Sequence, residues 1–139
     1  EAVRTLGNYG SKRKYVNEQR GVNSRLDPLQ AAVLGVKLPH LEAWNDRRRR
    51  IAAFYTEALA GSGVILPVVP DWADPVWHLY VVRVPDRDAV QQRLAEAGVQ
   101  TLIHYPIPPH RQQAYADHGW HQGDFPVAEQ LASEVLSLP

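Results

Sequence analysis

Cysteine and methionine are both missing from the 139 residues. Without a thiol there is no disulfide and no thiolate ligand for a metal, which suits a reducing, cytoplasmic setting. A net charge is missing too. Fifteen Lys and Arg balance fifteen Asp and Glu, so no general attraction draws the chain to nucleic acid or to an acidic membrane surface. No apolar run reaches the roughly 20 residues that a membrane-spanning helix needs, and the first residues lack a signal-peptide pattern. A glycine-rich phosphate loop, a Gly-x-Ser-x-Gly elbow and a paired-carboxylate motif are absent as well. With no methionine there is no initiator. The sequence opens on the already helix-like EAVRTLGNYG and closes at EVLSLP with no cap or tail. It reads as a piece of a longer protein.

What is present suffices for one ordinary domain. Apolar residues make up 45% and charged residues 22%, a globular composition rather than a disordered one. Residues 1–6 read as helix, followed by the polar, glycine-punctuated loop GNYGSKRKYVNEQRGVNSR. A helix then starts with Asp27 as N-cap and Pro28 at its first position, and Leu29, Val33 and Val36 form an apolar stripe. Pro39 breaks it, and a second helix runs from there towards Gly61. Leu41, Trp44, Arg48, Ile51, Tyr55 and Ala58 recur along it at intervals of three and four. That spacing predicts a packed face with Arg48 at its centre, paired with a carboxylate or with helix-end carbonyls.

The second half alternates. VWHLYVVRV (76–84) and VQTLIHY (99–105) read as strands, and DRDAVQQRLAEAG between them reads as a helix with Val90, Leu94 and Ala97 on one face. Gly98 supplies its stop. A proline-rich loop, a helical turn around Gln112 to Ala116 and a Gly/His loop follow, then an amphipathic helix from Val127 to Leu136. Long helices leading into a β-α-β unit indicate an α+β layer with helices on one face of a small sheet.

Two polar clusters invite chemistry. Arg47 to Arg50 suggest phosphate or nucleic-acid binding, but four successive helical residues point four ways and Asp46 is placed to pair with Arg50. A solvated face fits them better. His104, His110, His118 and His121 suggest a metal, yet no cysteine or acidic ligand pattern accompanies them, so they read as exposed loop histidines. TLIHYPIPPH, which holds two of these histidines, carries a further signal. A strand ends in His104 and Tyr105, and Pro106, Pro108 and Pro109 remove backbone donors and turn the chain out of the sheet. Neighbouring strand residues face opposite ways, so both rings reach one pocket only where the strand ends or twists.

Three segments in register carry more. LGNYGSKRKYVNEQRGVNSRLDPLQAAVL, LEAWNDRRRRIAAFYTEAL and GVQTLIHYPIPPHRQQAY resemble the C-terminal part of the DegT/DnrJ/EryC1/StrS family of pyridoxal-phosphate-dependent sugar aminotransferases. The likeness continues through FPVAEQLASEVLSLP. The KY…GVNSRLD…LIHYPIPPH version resembles the branch that aminates C3 of a dTDP-linked 3-oxo-6-deoxyhexose. The resemblance implies an α+β (α/β) fold, the C-terminal small domain of the aspartate-aminotransferase-like, fold type I architecture. Residues 1–60 would be a linker loop and long helices leading from a large cofactor domain outside this sequence. Residues 61–139 would be the small domain, truncated at its end.

The same resemblance implies pyridoxal 5'-phosphate as cofactor, glutamate as amino donor, a nucleotide sugar as substrate and a homodimer whose active site is shared across the interface. No catalytic residue is expected within the chain. The family's Schiff-base lysine lies upstream, before a glycine-rich turn, and Lys12, Lys14 and Lys37 do not match its context. Asn23 matches an asparagine that reaches the cofactor phosphate of the neighbouring subunit, where a neutral amide can donate. Lys14 and Tyr15 match a loop that approaches the sugar nucleotide. Arg25 is a candidate for a carboxylate or phosphate, with a loop contact to Asp27 as its structural alternative. His104 and Tyr105 match a pair that lines the sugar pocket, while His78 and Tyr9 are assigned only packing. Two other functions stay open: a same-family dehydratase, with histidine in place of the lysine, and a sugar-nucleotide-binding or dimerisation module without catalysis.

Overall fold

A computed structural model describes residues 1–139, which divide into two compact units, Glu1–Glu42 and Ala43–Pro139. The first unit opens with helix α1, Ala2–Leu6. The loop behind it closes on itself through backbone hydrogen bonds from Val22 to Leu6 O at 2.8 Å, Ser24 to Gly7 O at 2.9 Å and Tyr9 to Val22 O at 3.0 Å. Its far end is a hairpin of β1, Ser11–Arg13, and β2, Val16–Asn17. Gly10 shows why this loop needs glycine. It sits at φ +74°, and a Cβ there would stand 1.8 Å from Gln19 O. Helix α2, Pro28–Lys37, starts as expected: Asp27 Oδ1 accepts from the Leu29 and Gln30 amides at 2.8 and 3.3 Å. Its apolar stripe of Leu29, Val33 and Val36 is exposed.

A 3₁₀ turn, Leu38–His40, contains Pro39 and leads into helix α3, Leu41–Ala58. The buried face of α3 differs from the expected one. Asn45 and Ala52 are buried, whereas Trp44 and Ile51 are about 40% exposed (43% and 41%) and Arg48 lies in solvent. The neighbouring Arg49 makes the ion pairs instead, with Asp46 at 2.8 Å and Asp74 at 3.1 Å. Asp46 therefore pairs three residues on rather than four. An exposed Arg48 has water for its hydrogen bonds and needs no buried counter-charge. The arginine run is a solvated helix face with one side chain tied down.

The core of the second unit is a small sheet. Strand β3, Tyr80–Arg83, is shorter than the expected 76–84 and pairs antiparallel with β4, Val135–Leu138. Helix α4, Arg87–Glu96, follows β3, and Gly98 at φ +80° ends it. The segment 99–105 is not a regular strand. It meets β4 through one antiparallel bridge, Leu102 to Ser137, and Ile65 bridges Arg83 on the other edge. Since β3 and the Leu102 segment both run opposite to β4, they are parallel to each other. The expected β-α-β unit is thus present, but split, with β4 inserted between its two strands.

That insertion corrects the last expected helix. Helix α5 covers Pro126–Glu134 and stops where β4 begins. The buried Arg87 Nη1 donates to Val135 O at 3.4 Å and to Ala132 O at 3.0 Å, the latter a carbonyl that another helical turn would have given to the Leu136 amide. Arg83 adds an ion pair to Glu134 at 2.7 Å. Leu136, fully buried, then joins Ala52, Tyr80 and Val82 in the core, with Val90 and Leu94 of α4 packed against them.

Candidate functional site

The sequence-derived candidates fall into two groups, one in each unit. In the first unit Lys14 and Tyr15 occupy the two-residue tip of the β1–β2 hairpin. Tyr15 is 88% exposed, adopts φ +67° and lies 4.9 Å beneath the Lys14 ammonium. The hairpin thus displays an aromatic face and a cation together, a combination suited to a base or sugar ring beside a phosphate. Asn23 pairs its backbone with Asn8 in an isolated bridge, which fixes the main chain while the residue stays exposed. No protein group takes up its amide, so the donors of that amide remain available to an anion.

Arg25 does not reach Asp27, which is occupied as the cap of α2. Its Nη2 donates to Asn8 Oδ1, and its guanidinium lies over the Tyr9 ring at 5.5 Å. Tyr9 therefore does more than pack. With Arg4, Asn8, Ser11 and Lys12, Arg25 lines an open cleft of about 1150 Å³. The cleft is of mixed polarity and carries three cationic side chains, of which Lys12 is partly engaged by Glu18 at 3.5 Å. Lys14, Tyr15 and Asn23 are not among its lining residues.

In the second unit, His104 and Tyr105 line one cleft of about 660 Å³ together with Ile107, Tyr115 and Leu131. Both side chains line this cleft, although no regular strand ends there. The two rings meet edge to face at 5.6 Å, and the peptide joining them is cis. Tyr105 is 73% exposed. The half-buried His104 contributes Nδ1 to a 2.9 Å hydrogen bond with Ser137 Oγ. Apart from these polar tips and Gln112 the walls are largely apolar, made by the three prolines, Ile107, one side of α5 and Val135 at the start of β4. Such a surface favours a ligand that presents apolar as well as hydrogen-bonding edges.

His110 is not an exposed loop histidine. It is 8% exposed, its ring lies 4.8 Å from that of Phe125, and Nε2 meets Glu129 Oε1 at 2.9 Å. The same carboxylate oxygen accepts from the Gly123 amide at 2.8 Å. Those two hydrogen bonds, Gly123 first, hold the Glu129 carboxyl below the usual carboxylate range. His118 stays exposed beside Asp117 at 3.0 Å. Sequence reasoning missed Ser137, Glu129 and the buried state of His110. No local signal marks Ser137, which was expected to lie just beyond a helix end. The Pro108-Pro109 turn that buries His110 is visible only as a loop.

Residues 1–139 match the DegT/DnrJ/EryC1/StrS aminotransferase family. The whole chain aligns at 59% identity with 38% of the erythromycin biosynthesis sensory transduction protein EryC1 of Saccharopolyspora erythraea. It aligns at 55% identity with 38% of a dTDP-3-amino-3,6-dideoxy-alpha-D-galactopyranose transaminase of Aneurinibacillus thermoaerophilus. In three dimensions 99% of the chain superposes on 37% of the S. venezuelae DesV chain, solved in complex with a ketimine intermediate, at a TM-score of 0.90 and 50% identity. The chain therefore spans less than two fifths of the curated relatives it matches.

Proposed function

The chain belongs to the DegT/DnrJ/EryC1/StrS aminotransferase family, and from that membership we propose that the full-length protein is a pyridoxal-phosphate-dependent aminotransferase acting on a nucleotide-linked keto sugar. We assign a dTDP-linked 3-oxo-6-deoxyhexose as acceptor and glutamate as donor. The observation that carries this reading is 55% identity, over the whole chain, to a transaminase named for a dTDP-3-amino-3,6-dideoxy sugar. In this proposal residues 1–60 connect from a preceding cofactor domain and residues 61–139 form the C-terminal small domain. The protein acts as a homodimer with a shared active site, and the exposed stripe of Leu29, Val33 and Val36 suits burial in such an assembly.

The exposed amide of Asn23 fits the phosphate end of the cofactor, because a phosphate accepts several hydrogen bonds and a neutral donor adds no charge to be balanced. When bound, pyridoxal phosphate supplies the electron sink for moving an amino group between carbon skeletons. Everything else falls to the protein. Lys14 meets a phosphate of the nucleotide as a point charge, Tyr15 offers its ring face, and Arg25 binds a carboxylate or phosphate with the guanidinium edge not used by Asn8. His104 and Tyr105 orient the sugar. The apolar wall beside them excludes water and matches a hexose that carries a methyl group at C6. None of Lys12, Lys14 and Lys37 is buried, so the 139 residues alone are proposed to be inactive. Borohydride treatment with the cofactor is expected to label no single lysine among them.

The test uses the full-length protein with cofactor, the dTDP-linked keto sugar and glutamate. Formation of 2-oxoglutarate and of an amino sugar, followed by mass spectrometry, is the expected result. Their absence would refute the assignment. His104→Ala and Tyr105→Phe are expected to slow the sugar half-reaction about tenfold or more while sparing the glutamate half-reaction. Equal loss in both halves would remove these residues from the sugar pocket.

A further inference from the structure

Ser137 sits at the middle of the split sheet. Its backbone exchanges two hydrogen bonds with Leu102, at 2.8 and 3.2 Å, and its residue partner across the β3–β4 ladder is Val81. Only 3% of it is exposed. The hydroxyl has one hydrogen-bond partner, His104 Nδ1 at 2.9 Å. A buried hydroxyl must hand its proton to an acceptor or lose a hydrogen bond it would have made to water. No other protein acceptor lies within hydrogen-bond reach of the Ser137 hydroxyl. The acceptor left to the Ser137 proton is therefore the lone pair of His104 Nδ1. A neutral imidazole that accepts at Nδ1 carries its own proton on Nε2.

We propose that Ser137 is a positioning residue: it holds His104 in the Nε2–H tautomer, so that the ring offers a hydrogen-bond donor, not a base, to an oxygen of the sugar substrate. This rests on the reading of His104 as part of the sugar pocket. The ligand chemistry is consistent with a donor. A ketone oxygen, a sugar hydroxyl and a phosphate oxygen all accept, and a donor on the ketone oxygen draws electron density from the carbon that receives nitrogen. Ser137 acts on the substrate only through His104. It also ties the ring to the sheet, since both the Ser137 backbone and its hydroxyl are fixed at once.

The experiment uses the full-length protein with cofactor, labelled with nitrogen-15 in its histidine rings, and identifies the His104 signals by their loss in His104→Gln. The expected spectrum of the neutral ring shows a protonated Nε2 and an unprotonated Nδ1. Ser137→Ala is expected to mix the two tautomers and to slow the sugar half-reaction about tenfold, equivalent to about 1.4 kcal/mol. The glutamate half-reaction should hold its rate, and Ser137→Thr, which keeps the hydroxyl, should restore both spectrum and turnover. A proton on Nδ1 in the wild-type ring overturns the proposal, and that measurement needs no variant to fold. A spectrum indifferent to Ser137→Ala overturns it as well. If Ser137→Ala shifts the tautomer but leaves sugar turnover unchanged, the link to substrate is overturned. In that case the sugar-pocket reading of His104 fails and the tautomer assignment stands.

Discussion

Truncating Leu136 to alanine tests the least anticipated part of the fold. Leu136 is fully buried, packs with Ala52, Tyr80 and Val82, and stands opposite Val82 in the β3–β4 ladder. Three carbons leave the core, and at about 0.8 kcal/mol for each buried methylene the transfer loss is about 2.4 kcal/mol. A cavity cost adds to this, because Leu136 borders a partly open apolar pocket of about 270 Å³, shared with Tyr55, Val90 and Leu94, that its truncation would enlarge. The site cannot collapse easily around the missing atoms. The total expected is about 3–5 kcal/mol, the upper part of the range for buried leucine. Urea unfolding followed by circular dichroism reads this as a lower midpoint at unchanged slope. Amide exchange at Val82 should speed by about two to three and a half orders of magnitude if opening of this sheet limits it. Val127→Ala, at a position 70% exposed on α5, is the control and should change stability by less than about 0.5 kcal/mol. A Leu136→Ala loss under about 1 kcal/mol would refute the strand and favour a continued helix with Leu136 near its surface.

Other consequences are local. Asp27→Ala removes the acceptor for two amides at the start of α2 and is expected to cost about 1 kcal/mol, while Asp27→Asn keeps most of it; thermal melts distinguish the two. The Glu129 carboxyl is held below its ordinary value of 4.5 by the Gly123 amide and by His110. Its folded-state pKa is therefore depressed, so its contribution to stability is fully present above the unfolded value and is lost as the pH falls through the lower, folded one. Glu129→Gln should flatten that acid limb in unfolding measured against pH, and it should speed amide exchange at Gly123. An unchanged acid limb would show that the carboxylate is not what holds the 119–125 loop to α5.

The features legible in the sequence are those set by neighbours along the chain. Asp27 and Pro28 mark the start of α2 because a cap needs only the next three residues. Gly98 marks the end of α4 because only the local φ matters. The buried face of α3 is not legible in this way, since apolar spacing of three and four is satisfied by adjacent stripes, and burial of Asn45 and Ala52 depends on what arrives from elsewhere. Arg49 wins over Arg48 because Asp74, 25 residues on, lies within its reach. For the candidate site, motif likeness singled out His104 and Tyr105, and the structure brings both to one cleft. It is silent about the groups that hold them.

The end of α5 explains that silence. Val127, Leu131 and Val135 continue at intervals of four, as do Ala128, Ala132 and Leu136, so nothing within residues 127–136 tells a helix to stop. The stop comes from Arg87, 45 and 48 residues away from the carbonyls it engages, and from the place that β3 offers beside it. Once the chain turns into β4, the inserted strand separates β3 from the Leu102 segment, and Ser137 faces the latter. Its hydroxyl then lies against His104, 33 residues earlier in sequence. A distant arginine thus sets the strand, the strand sets the serine, and the serine sets the imidazole. Replacing Arg87 with methionine would test this chain of dependence at its far end. The buried carbonyls of Ala132 and Val135 would lose their donor, the β4 amides should lose protection, and the His104 tautomer should become mixed although no residue of the cleft containing Tyr105 had been touched. A single unmixed tautomer in a folded Arg87→Met protein would break the link between helix end and histidine.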